Sequence, residues 1–335
     1  MEKHSIDVLI VGAGISGLMA AQVLQAQGLQ VLLIDKSRSV GGRMATRRIG
    51  DGIADHGAQF FSVRTAEFRA YVQQWVEQGL LKVWYYSWMQ SSLPPRNLQG
   101  YERYIAPGGM NQVAKTLSNG LNVILNQQVK ALRLGQATWQ VECLSGSLYE
   151  ANSVLLTAPV PQSLALLDTG WVALTPEDRA TLDDITYLSC LCGLFWVEGD
   201  SQLPENGALQ RPTHEFPWIA DNLKKGLQTS GRILTLQANP EYSEKHWHLD
   251  DVAILNELEA AVSPFLVSGT RILETQLKRW RYAMPVTTYP EPFFQADITP
   301  PLVFAGDAFG GPRVEGAAIS GLAAGEHLAR LLKGA

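Results

Sequence analysis

The stretch that decides the fold runs from Ile6 to Gly17 and reads Ile-Asp-Val-Leu-Ile-Val-Gly-Ala-Gly-Ile-Ser-Gly. Its first half is a short run rich in β-branched residues, which predicts a strand buried on both faces. Gly12 and Gly14 follow that strand directly, and apolar residues recur at helical spacing beyond them. A second apolar run ends at Asp35. The stretch therefore predicts a βαβ unit of about thirty residues that binds a dinucleotide.

Each glycine of this motif has a physical role. Gly12 permits a tight turn, Gly14 removes a Cβ where a pyrophosphate approaches the backbone, and Gly17 lets the helix pack on the strand. The start of the helix also offers unpaired N–H groups and the positive end of the helix dipole. Asp35, eighteen residues beyond Gly17, can accept hydrogen bonds from ribose hydroxyls. The alternative, a packing turn without a ligand, is disfavoured because strand, glycines, helix and acidic residue coincide.

Two further segments favour FAD over NAD as the dinucleotide. Gly42 and Arg43 lie shortly after Asp35, where a compact turn can return the guanidinium to the pyrophosphate, although a solvated basic loop is the alternative. Near the C-terminus, residues 302–307 predict a second buried strand, and a glycine-bearing helix follows from about Glu315. A flavin needs this second helix start, because its reduction places negative charge on the ring.

The predicted fold class is α/β, with a Rossmann-type FAD-binding domain and a discontinuous α+β substrate domain. The predicted FAD-binding domain comprises residues 1–72, 96–160 and 283–335, and the predicted substrate domain comprises residues 73–95 and 161–282. Five short runs from Asn122 to Thr157 predict a β-meander. The Pro- and Gln-containing segment from Tyr85 to Gly100 reads as a connection between domains.

Composition narrows the class of protein. The net charge of −5 gives no electrostatic reason to expect nucleic acid or an acidic membrane surface as a partner. No apolar stretch reaches the roughly 18 residues of a membrane span, and no targeting segment is evident. Cys143, Cys190 and Cys192 match neither a disulfide framework nor a zinc site, and the pair His246 and His248 lacks a third metal ligand. We therefore expect a cytoplasmic protein without a metal.

Six segments resemble the renalase-like branch of the FAD-dependent amine oxidase superfamily. They are the N-terminal glycine motif, GGRMATR at 41–47, DHGAQFF at 55–61, PGGM at 107–110, RWRYA at 279–283 and the Gly-Asp segment at 306–307. The resemblance touches nearly the whole chain. It implies that Gly57, Ala58 and Gln59 run beside the flavin ring, that Val129 presents backbone groups to the adenine, and that Thr157 lies close to the dinucleotide.

The motifs and the resemblance together predict a set of cofactor-binding residues. The set is Gly12, Ala13, Gly14, Ser16, Gly17, Asp35, Lys36, Gly42, Arg43, Gly57, Ala58, Gln59, Val129, Thr157, Gly306, Asp307, Glu315, Gly316, Ala317 and Ile319. Members of the superfamily that tether flavin covalently use a cysteine near the C-terminal segment, and this chain has none after Cys192. The flavin is therefore expected to be noncovalent.

A second departure concerns the substrate. Amine oxidases of the superfamily usually carry a lysine on a substrate-domain strand, and the corresponding run from Leu188 to Val197 has none. Trp280 and Tyr282 precede the chain's return to the flavin domain and are predicted to line the substrate pocket. Asn222 belongs to a segment that also resembles renalase-like proteins, and it is a third candidate for the pocket.

The resemblance implies an oxidase that takes hydride from a dihydronicotinamide, either NAD(P)H or its 2- and 6-dihydro isomers, onto flavin N5. O2 is the expected electron acceptor and H2O2 the product. No catalytic acid or base is obligatory, because the flavin carries the chemistry. Oxidation of a small amine and a desaturase-like reaction are the alternatives within the same class. A flavin-binding regulatory protein without turnover is the alternative from another class.

Overall fold

The computed structural model describes residues 6–85 and 101–334. By its internal contacts the chain divides into two compact units. The first unit comprises Met1–Gly42, Ala114–Tyr187 and Met284–Ala335, and the second comprises Arg43–Val113 and Leu188–Ala283. The predicted connection lies outside the described residues except for Tyr85.

The strands and helices of the described residues are numbered in chain order. The strands are β1 (Ile6–Val11), β2 (Val31–Ile34), β3 (Thr46–Ile49), β4 (Gly52–Asp55), β5 (Phe61–Ser62), β6 (Lys82–Tyr85), β7 (Arg103–Ile105), β8 (Val123–Ile124), β9 (Val129–Leu134), β10 (Trp139–Cys143), β11 (Leu148–Leu156), β12 (Tyr187–Glu198), β13 (Ala208–Gln210), β14 (Trp218–Asp221), β15 (Arg232–Gln237), β16 (Arg271–Pro285), β17 (Phe294–Gln295) and β18 (Leu302–Phe304). The α-helices are α1 (Ile15–Ala26), α2 (Ala66–Glu77), α3 (Asn111–Leu117), α4 (Val160–Thr169), α5 (Pro176–Asp183), α6 (Asn222–Lys225), α7 (Pro240–His246), α8 (Asp251–Val262), α9 (Asp307–Gly310) and α10 (Val314–Lys333).

The first unit is built on an eight-stranded sheet with the order β17-β18-β11-β1-β2-β8, and β10 and β9 continue from β11. Strands β18, β11, β1, β2 and β8 pair in parallel along this order, and β17 pairs antiparallel with β18. Both terminal strand-turn-helix segments of the chain therefore lie in one sheet, as the sequence predicts. This arrangement is the predicted Rossmann-type α/β fold.

The glycine stripe of α10 allows a close approach to α1. A Cβ at Gly321 would lie 2.1 Å from the carbonyl oxygen of Ser16, and one at Gly325 would lie 2.9 Å from that of Ala20. Both distances are too short for a side chain, so the two backbones touch only because these positions are glycine. The glycines of the predicted glycine-bearing helix therefore form a packing surface against α1.

The predicted meander is wrong at its first strand. Val123 and Ile124 pair in parallel with Leu33 and Ile34 of β2, and only β9, β10 and β11 form antiparallel neighbours. The physical reason is the free edge of β2, which a short apolar segment can complete as a parallel strand. Periodicity within the run gave no information about this distant partner.

The second unit contains a five-stranded sheet with the order β13-β14-β15-β12-β16. Its core packs Leu191 and Phe195 of β12 and Leu234 of β15 against Ile254 and Leu258 of α8. The hairpin β3–β4 belongs to the same unit, and so does the small sheet β5-β7-β6.

The compact units differ from the predicted domain boundaries in more than one respect. Residues 161–187, predicted with the substrate domain, belong to the first unit. Residues 43–72 and 101–113, predicted with the FAD-binding domain, group with residues 188–283. The cause is visible at the end of β4, where the Asp55 carbonyl oxygen accepts a hydrogen bond from Thr235 Oγ1 of β15 at 2.9 Å. These units are defined by contacts alone, so the assignment of the cofactor-binding domain stays a prediction.

Two further properties of residues 6–85 and 101–334 bear on the class of protein. None of their helices combines the length and the apolar character that crossing a membrane requires. Their histidine, cysteine and acidic side chains form no group of three or more that could hold a metal ion. His246, one of the two histidines considered as metal ligands, is the last residue of α7.

Candidate functional site

The glycine turn of the first unit has the geometry that its sequence predicts at two positions. Gly12 has φ 112°, and a Cβ there would lie 2.6 Å from Thr157 Oγ1. A Cβ at Gly17 would lie 2.2 Å from the Gly12 carbonyl oxygen. The Thr157 hydroxyl donates to the carbonyl oxygens of Val11 and Gly12, each at 3.1 Å. Packing therefore requires glycine at positions 12 and 17.

Gly14 is different, because a Cβ there would meet no protein atom within 4 Å. It is the N-cap of α1 and provides no side-chain hydrogen bond to the first N–H groups of that helix. The nearby Ser16 hydroxyl is buried and has no hydrogen-bond partner among the described residues. Unpaired donors at a helix start and a buried orphan hydroxyl fit a phosphate oxygen. The residues present thus fit a dinucleotide.

Asp35 connects the ends of β1 and β2. Its Oδ2 accepts a hydrogen bond from the Ala13 backbone N–H at 2.7 Å, and its Oδ1 accepts one from Ser37 N–H at 2.7 Å. Each carboxylate oxygen keeps further acceptor capacity for a ribose hydroxyl. Lys36 is exposed beside it. The carboxylate therefore also holds the glycine turn in place, a role that its sequence position did not reveal.

The second glycine turn follows β2 closely. Gly41 N–H donates to the Ala13 carbonyl oxygen at 2.8 Å, and Gly42 has φ 53°. A Cβ at Gly42 would approach the Gly14 Cα to 3.4 Å. Gly42 therefore lies directly against the first glycine turn. Arg43 begins the second unit, where its Nη1 donates to the Tyr282 carbonyl oxygen at 3.4 Å.

The C-terminal strand of the first unit also ends at a glycine. Gly306 has φ 139°, and its N–H donates to Ser320 Oγ at 2.7 Å. A Cβ at Gly316 would lie 2.2 Å from the Gly311 carbonyl oxygen, so α10 starts against the preceding turn. Of the other predicted cofactor-binding residues in this part of the chain, Asp307 and Glu315 are buried, and Ala317 and Ile319 are half-buried. Val129 is buried at the start of β9.

The DHGAQFF segment of the second unit is held by a network of hydrogen bonds. Asp55 Oδ1 accepts from Thr46 Oγ1 at 2.7 Å and from Met110 N–H at 2.8 Å. A Cβ at Gly57 would lie 2.0 Å from the Arg43 carbonyl oxygen, which also accepts from Ala58 N–H at 2.8 Å. The backbone of this segment is therefore fixed against the turn that contains Arg43.

Lys225 lies at the centre of that network and was missed by the sequence analysis. Its ammonium donates to Asp55 Oδ2 at 3.2 Å, to the Gln59 carbonyl oxygen at 3.1 Å and to Gln59 Oε1 at 3.3 Å. Its side chain is fully buried, as is that of Asp55. Burial lowers the pKa of Lys225, while Asp55 acts in the opposite direction. The Gln59 amide also donates to the Asp55 carbonyl oxygen at 2.7 Å, so its side chain is bound internally.

Asn222 is fully buried and bound to the protein itself. Its amide donates to the Ile233 carbonyl oxygen and to Thr235 Oγ1, both at 2.9 Å, and its Oδ1 accepts from Asp55 N–H at 3.3 Å. These bonds join α6 and β15 to the end of β4. These bonds give Asn222 a scaffolding role, and its predicted contact with substrate stays a prediction.

Trp280 is stacked on His56, with ring centroids 5.2 Å apart and an interplanar angle of 22°. Its indole N–H donates to the His56 carbonyl oxygen at 2.8 Å. Burial, followed by the charges of Lys278 and Arg47, lowers the pKa of His56 to about 3. The imidazole is therefore neutral near pH 7, and its buried Nδ1 has no hydrogen-bond partner among the described residues. Tyr282 lies two residues further along β16 and is half-buried.

The strand next to β12 carries a lysine, Lys278. Strand β12 contains none, as the sequence shows, but its neighbour β16 carries Lys278, whose charge acts on both His56 and Cys192. The absence of lysine from β12 alone therefore does not separate this chain from amine oxidases. The alternation of Gln276, Lys278 and Trp280 along β16 was the sequence signal that could have revealed it.

The cysteines of the second unit lie on β12, where Cys192 is buried and Cys190 is half-buried. Burial raises the pKa of Cys190 to about 12 and that of Cys192 well above its usual range. Their thiols contact backbone carbonyl oxygens on and beside β12. Neither has the lowered pKa of a reactive thiolate.

Comparison with known proteins gives matches over both units. Residues 10–75 match the model of the NAD(P)-binding Rossmann-like domain, and residues 90–329 match that of the flavin containing amine oxidoreductases. Renalase from Mus musculus is 25% identical over 348 residues, which cover 97% of this chain and 99% of the mouse protein. L-amino-acid oxidase from Sistrurus catenatus edwardsii is 42% identical over 67 residues, or 20% of this chain and 13% of that protein.

A solved structure of putrescine oxidase with bound putrescine shares the fold. It has a TM-score of 0.69 and 16% sequence identity, and the match covers 97% of this chain and 99% of that one. Identity at this level shows a common fold and carries no information about the substrate.

Proposed function

The chain belongs to the flavin containing amine oxidoreductase family, in its renalase-like branch, and is an FAD-dependent oxidoreductase; from this premise we propose that its substrate is a dihydronicotinamide. The substrate would be NAD(P)H or its 2- or 6-dihydro isomers. In net terms it loses a hydride and becomes an aromatic nicotinamide, while O2 takes the two electrons with two protons and leaves as H2O2. One of those protons comes from solvent.

The charge around Trp280 is the observation that carries this proposal. Arg47 and Lys278 both act on the imidazole that stacks on Trp280, and that imidazole is neutral. A protonated amine would be repelled by Arg47, a cation additional to the lysine that amine oxidases also carry, whereas amine sites commonly offer a carboxylate or an aromatic cage. A dihydropyridine ring carries no positive charge and can lie flat on an aromatic surface. The local electrostatics therefore favour the nicotinamide over the amine.

The same proposal assigns the residues that would hold FAD. In the first unit, the N–H groups at the start of α1 and the Ser16 hydroxyl would bind the pyrophosphate, and Asp35 would accept ribose hydroxyls. Arg43 would add a charge-assisted bond to the pyrophosphate. By resemblance, Val129 would contact the adenine, and Gly57 would lie along the flavin ring.

The second helix start would act at the redox-active ring. Glu315, Gly316 and Ala317 lie in the first turn of α10 and Ile319 in the next, while Gly306 is the N-cap of α9 and Asp307 its first residue. When bound, FAD supplies the acceptor for hydride, and the positive end of a helix dipole stabilises the negative charge of the reduced ring. The protein itself needs no acid or base for hydride removal, so its task is to position the donor carbon at about 3 to 3.5 Å from the acceptor atom.

We further propose that FAD is bound noncovalently, since no cysteine lies in the C-terminal segment and burial raises the pKa of the Cys190 and Cys192 thiols. The purified protein should be yellow, and acid precipitation should release FAD into the supernatant. Flavin that stays in the pellet, or FMN in the supernatant, would contradict this part of the proposal.

Anaerobic stopped-flow mixing tests the substrate. The 2-, 4- and 6-dihydro forms of NAD and NADP are compared with a panel of primary and secondary amines, and flavin bleaching is followed by absorbance. We expect at least one dihydronicotinamide to bleach the flavin faster than every amine. Rapid bleaching by an amine with none by any dihydronicotinamide would refute the proposal and establish amine oxidation instead.

A further inference from the structure

Strand β16 brings a pair of cations together on one face. Gln276, Lys278 and Trp280 alternate along the strand and therefore share that face. Arg47 of β3 reaches the same face, where its Nε donates to Gln276 Oε1 at 3.0 Å. Both Arg47 and Lys278 act electrostatically on His56. Two cations from different strands thus surround one imidazole, and no role in cofactor binding accounts for either.

Arg47 has spare hydrogen-bonding capacity. Among residues 6–85 and 101–334 the guanidinium makes a single hydrogen bond, to the neutral side-chain amide of Gln276, and forms no ion pair. The carboxylate of Glu274 accepts from that amide at 2.9 Å and does not pair with the guanidinium. A guanidinium carries five N–H donors in a planar fork, so those outside Nε remain able to bind an oxyanion in a bidentate manner.

The surroundings of Arg47 do not neutralise its charge. Arg47 is only half-buried, and the neighbouring imidazole of His56 contributes no negative charge in either protonation state. Lys278 adds a second positive charge on the same face. Partly desolvated cations of this kind bind oxyanions through short charge-assisted hydrogen bonds. Trp280, stacked on His56, places a flat aromatic surface beside them.

We propose that Arg47 and Lys278 form an anion subsite that receives a phosphate group of the substrate, while the ring of the substrate lies by Trp280. This inference rests on the proposed function, because a dihydronicotinamide nucleotide carries its phosphate on the ribose attached to the ring. Arg47 supplies the bidentate fork and Lys278 a point charge, a combination suited to a phosphate monoester or diester. The subsite makes the enzyme selective for nucleotides over the uncharged riboside.

Two ring donors that differ only in phosphate test the subsite. Reduced nicotinamide mononucleotide and reduced nicotinamide riboside are each mixed anaerobically with the holoenzyme, and the dissociation constant is taken from the concentration dependence of flavin bleaching. In the wild type we expect the mononucleotide to bind about 10-fold more tightly than the riboside, as one partly exposed charge-assisted contact would give. Arg47→Gln and Lys278→Met should each raise the dissociation constant of the mononucleotide toward that of the riboside and leave the riboside unchanged.

Two further variants separate charge from structure. Arg47→Lys should retain part of the preference for the mononucleotide, because it keeps the charge. Arg48 is the next residue of β3 and is exposed, so Arg48→Gln is the matched control and should keep the full preference. Equal binding of the two donors by the wild type would overturn the proposal, and so would an unchanged preference in Arg47→Gln.

Failure of the subsite is distinguishable from failure of the proposed function. If no dihydronicotinamide bleaches the flavin, the proposed function fails, and the subsite is tested with oxidised nicotinamide mononucleotide and with inorganic phosphate as probes of the flavin absorbance spectrum. Phosphate-dependent spectral shifts that weaken at least about 5-fold in Arg47→Gln would support the subsite by itself. Absence of any shift in the wild type would overturn it.

Discussion

The ammonium of Lys225 lies 3.2 Å from Asp55 Oδ2, and both side chains are fully buried. The two residues are 170 positions apart in the sequence. The remaining hydrogen bonds of their side chains go to Gln59, Thr46 and Met110 N–H, so the pair fixes the segment that begins at Asp55. A buried pair of this kind contributes little when intact but leaves an uncompensated charge when one partner is removed.

Lys225→Met is therefore expected to lower the free energy of unfolding by about 3 to 5 kcal/mol. Urea unfolding in the presence of a fixed excess of FAD measures this. Asp55→Asn combined with Lys225→Met should cost less than the sum of the two single changes, because the double variant leaves no buried charge. The control is Lys130→Met, whose ion pair with Glu142 is exposed and whose loss should leave stability nearly unchanged. Additive costs in the double variant would show that the two residues are not coupled.

His56 should make stability depend on pH. Its pKa is lowered to about 3 in the folded protein, whereas in the unfolded chain it returns to the usual 6.5. Between these two pKa values the unfolded state binds more protons than the folded state. The free energy of unfolding therefore rises with pH, and it decreases as the pH falls below 6.5 by up to about 1.4 kcal/mol per pH unit. His56→Phe keeps a flat ring against Trp280 and removes the titration.

The measurement is the difference in unfolding free energy between His56→Phe and the wild type from pH 7 to pH 5. This difference should grow in favour of the variant as pH falls. His248→Phe serves as the control, since that residue is exposed and should leave the pH dependence of the wild type unchanged. A constant difference across the range would mean that His56 is not held neutral by the fold.

The features that the sequence predicts well are local. Each of these features lies within a short segment of the chain: the turn from Gly12 to Gly17, the acidic residue at 35 and the glycine stripe of α10. Their spacing follows directly from strand and helix geometry. Their packing reasons, such as the contact of Gly321 with the Ser16 carbonyl oxygen, agree with that spacing. The α/β class follows from these segments alone.

The sequence predicts poorly those features that depend on contacts between residues far apart in the chain. Lys225 meets Asp55 only because α6 and β4 both pack on β15, and no local pattern announces that meeting. The amide of Asn222 donates to the Ile233 carbonyl oxygen, and no local pattern indicates that bond. Strand β8 pairs in parallel with β2, which is distant in the sequence, and no local pattern indicates that pairing. Tertiary contacts of this kind lie outside what periodicity and spacing describe.

Asp35→Ala is expected to weaken FAD binding about 10- to 150-fold, the range for loss of a charge-assisted hydrogen bond. Part of the loss comes from the glycine turn, because Asp35 also accepts from Ala13 N–H at 2.7 Å. Fluorescence titration of the apoprotein with FAD measures it. Asp7, which accepts from Gln30 N–H at the other end of β1, provides the control, and Asp7→Ala should bind FAD like the wild type. Full, tightly held flavin in Asp35→Ala would show that the carboxylate does not contact the cofactor.

Trp280→Ala should slow flavin reduction by dihydronicotinamides while leaving the flavin content unchanged. The indole is held by its stack on His56 and by its hydrogen bond to the His56 carbonyl oxygen, so it offers the substrate ring a fixed surface. Loss of that surface acts on the reacting geometry, where a displacement of about 1 Å can cost on the order of 100-fold in rate.

The Trp280→Phe variant tests the aromatic surface of Trp280 separately from the hydrogen bond of its indole N–H. It keeps an aromatic ring for the stack but has no N–H to donate, so its rate of flavin reduction should lie between those of the wild type and Trp280→Ala. Trp171 is 87% exposed, and Trp171→Ala is the control that should leave both rate and flavin content unchanged. Anaerobic stopped-flow bleaching gives the rates, and the ratio of flavin to protein absorbance gives the content. A Trp280→Ala protein that binds full flavin and reduces it at the wild-type rate would remove Trp280 from the substrate site.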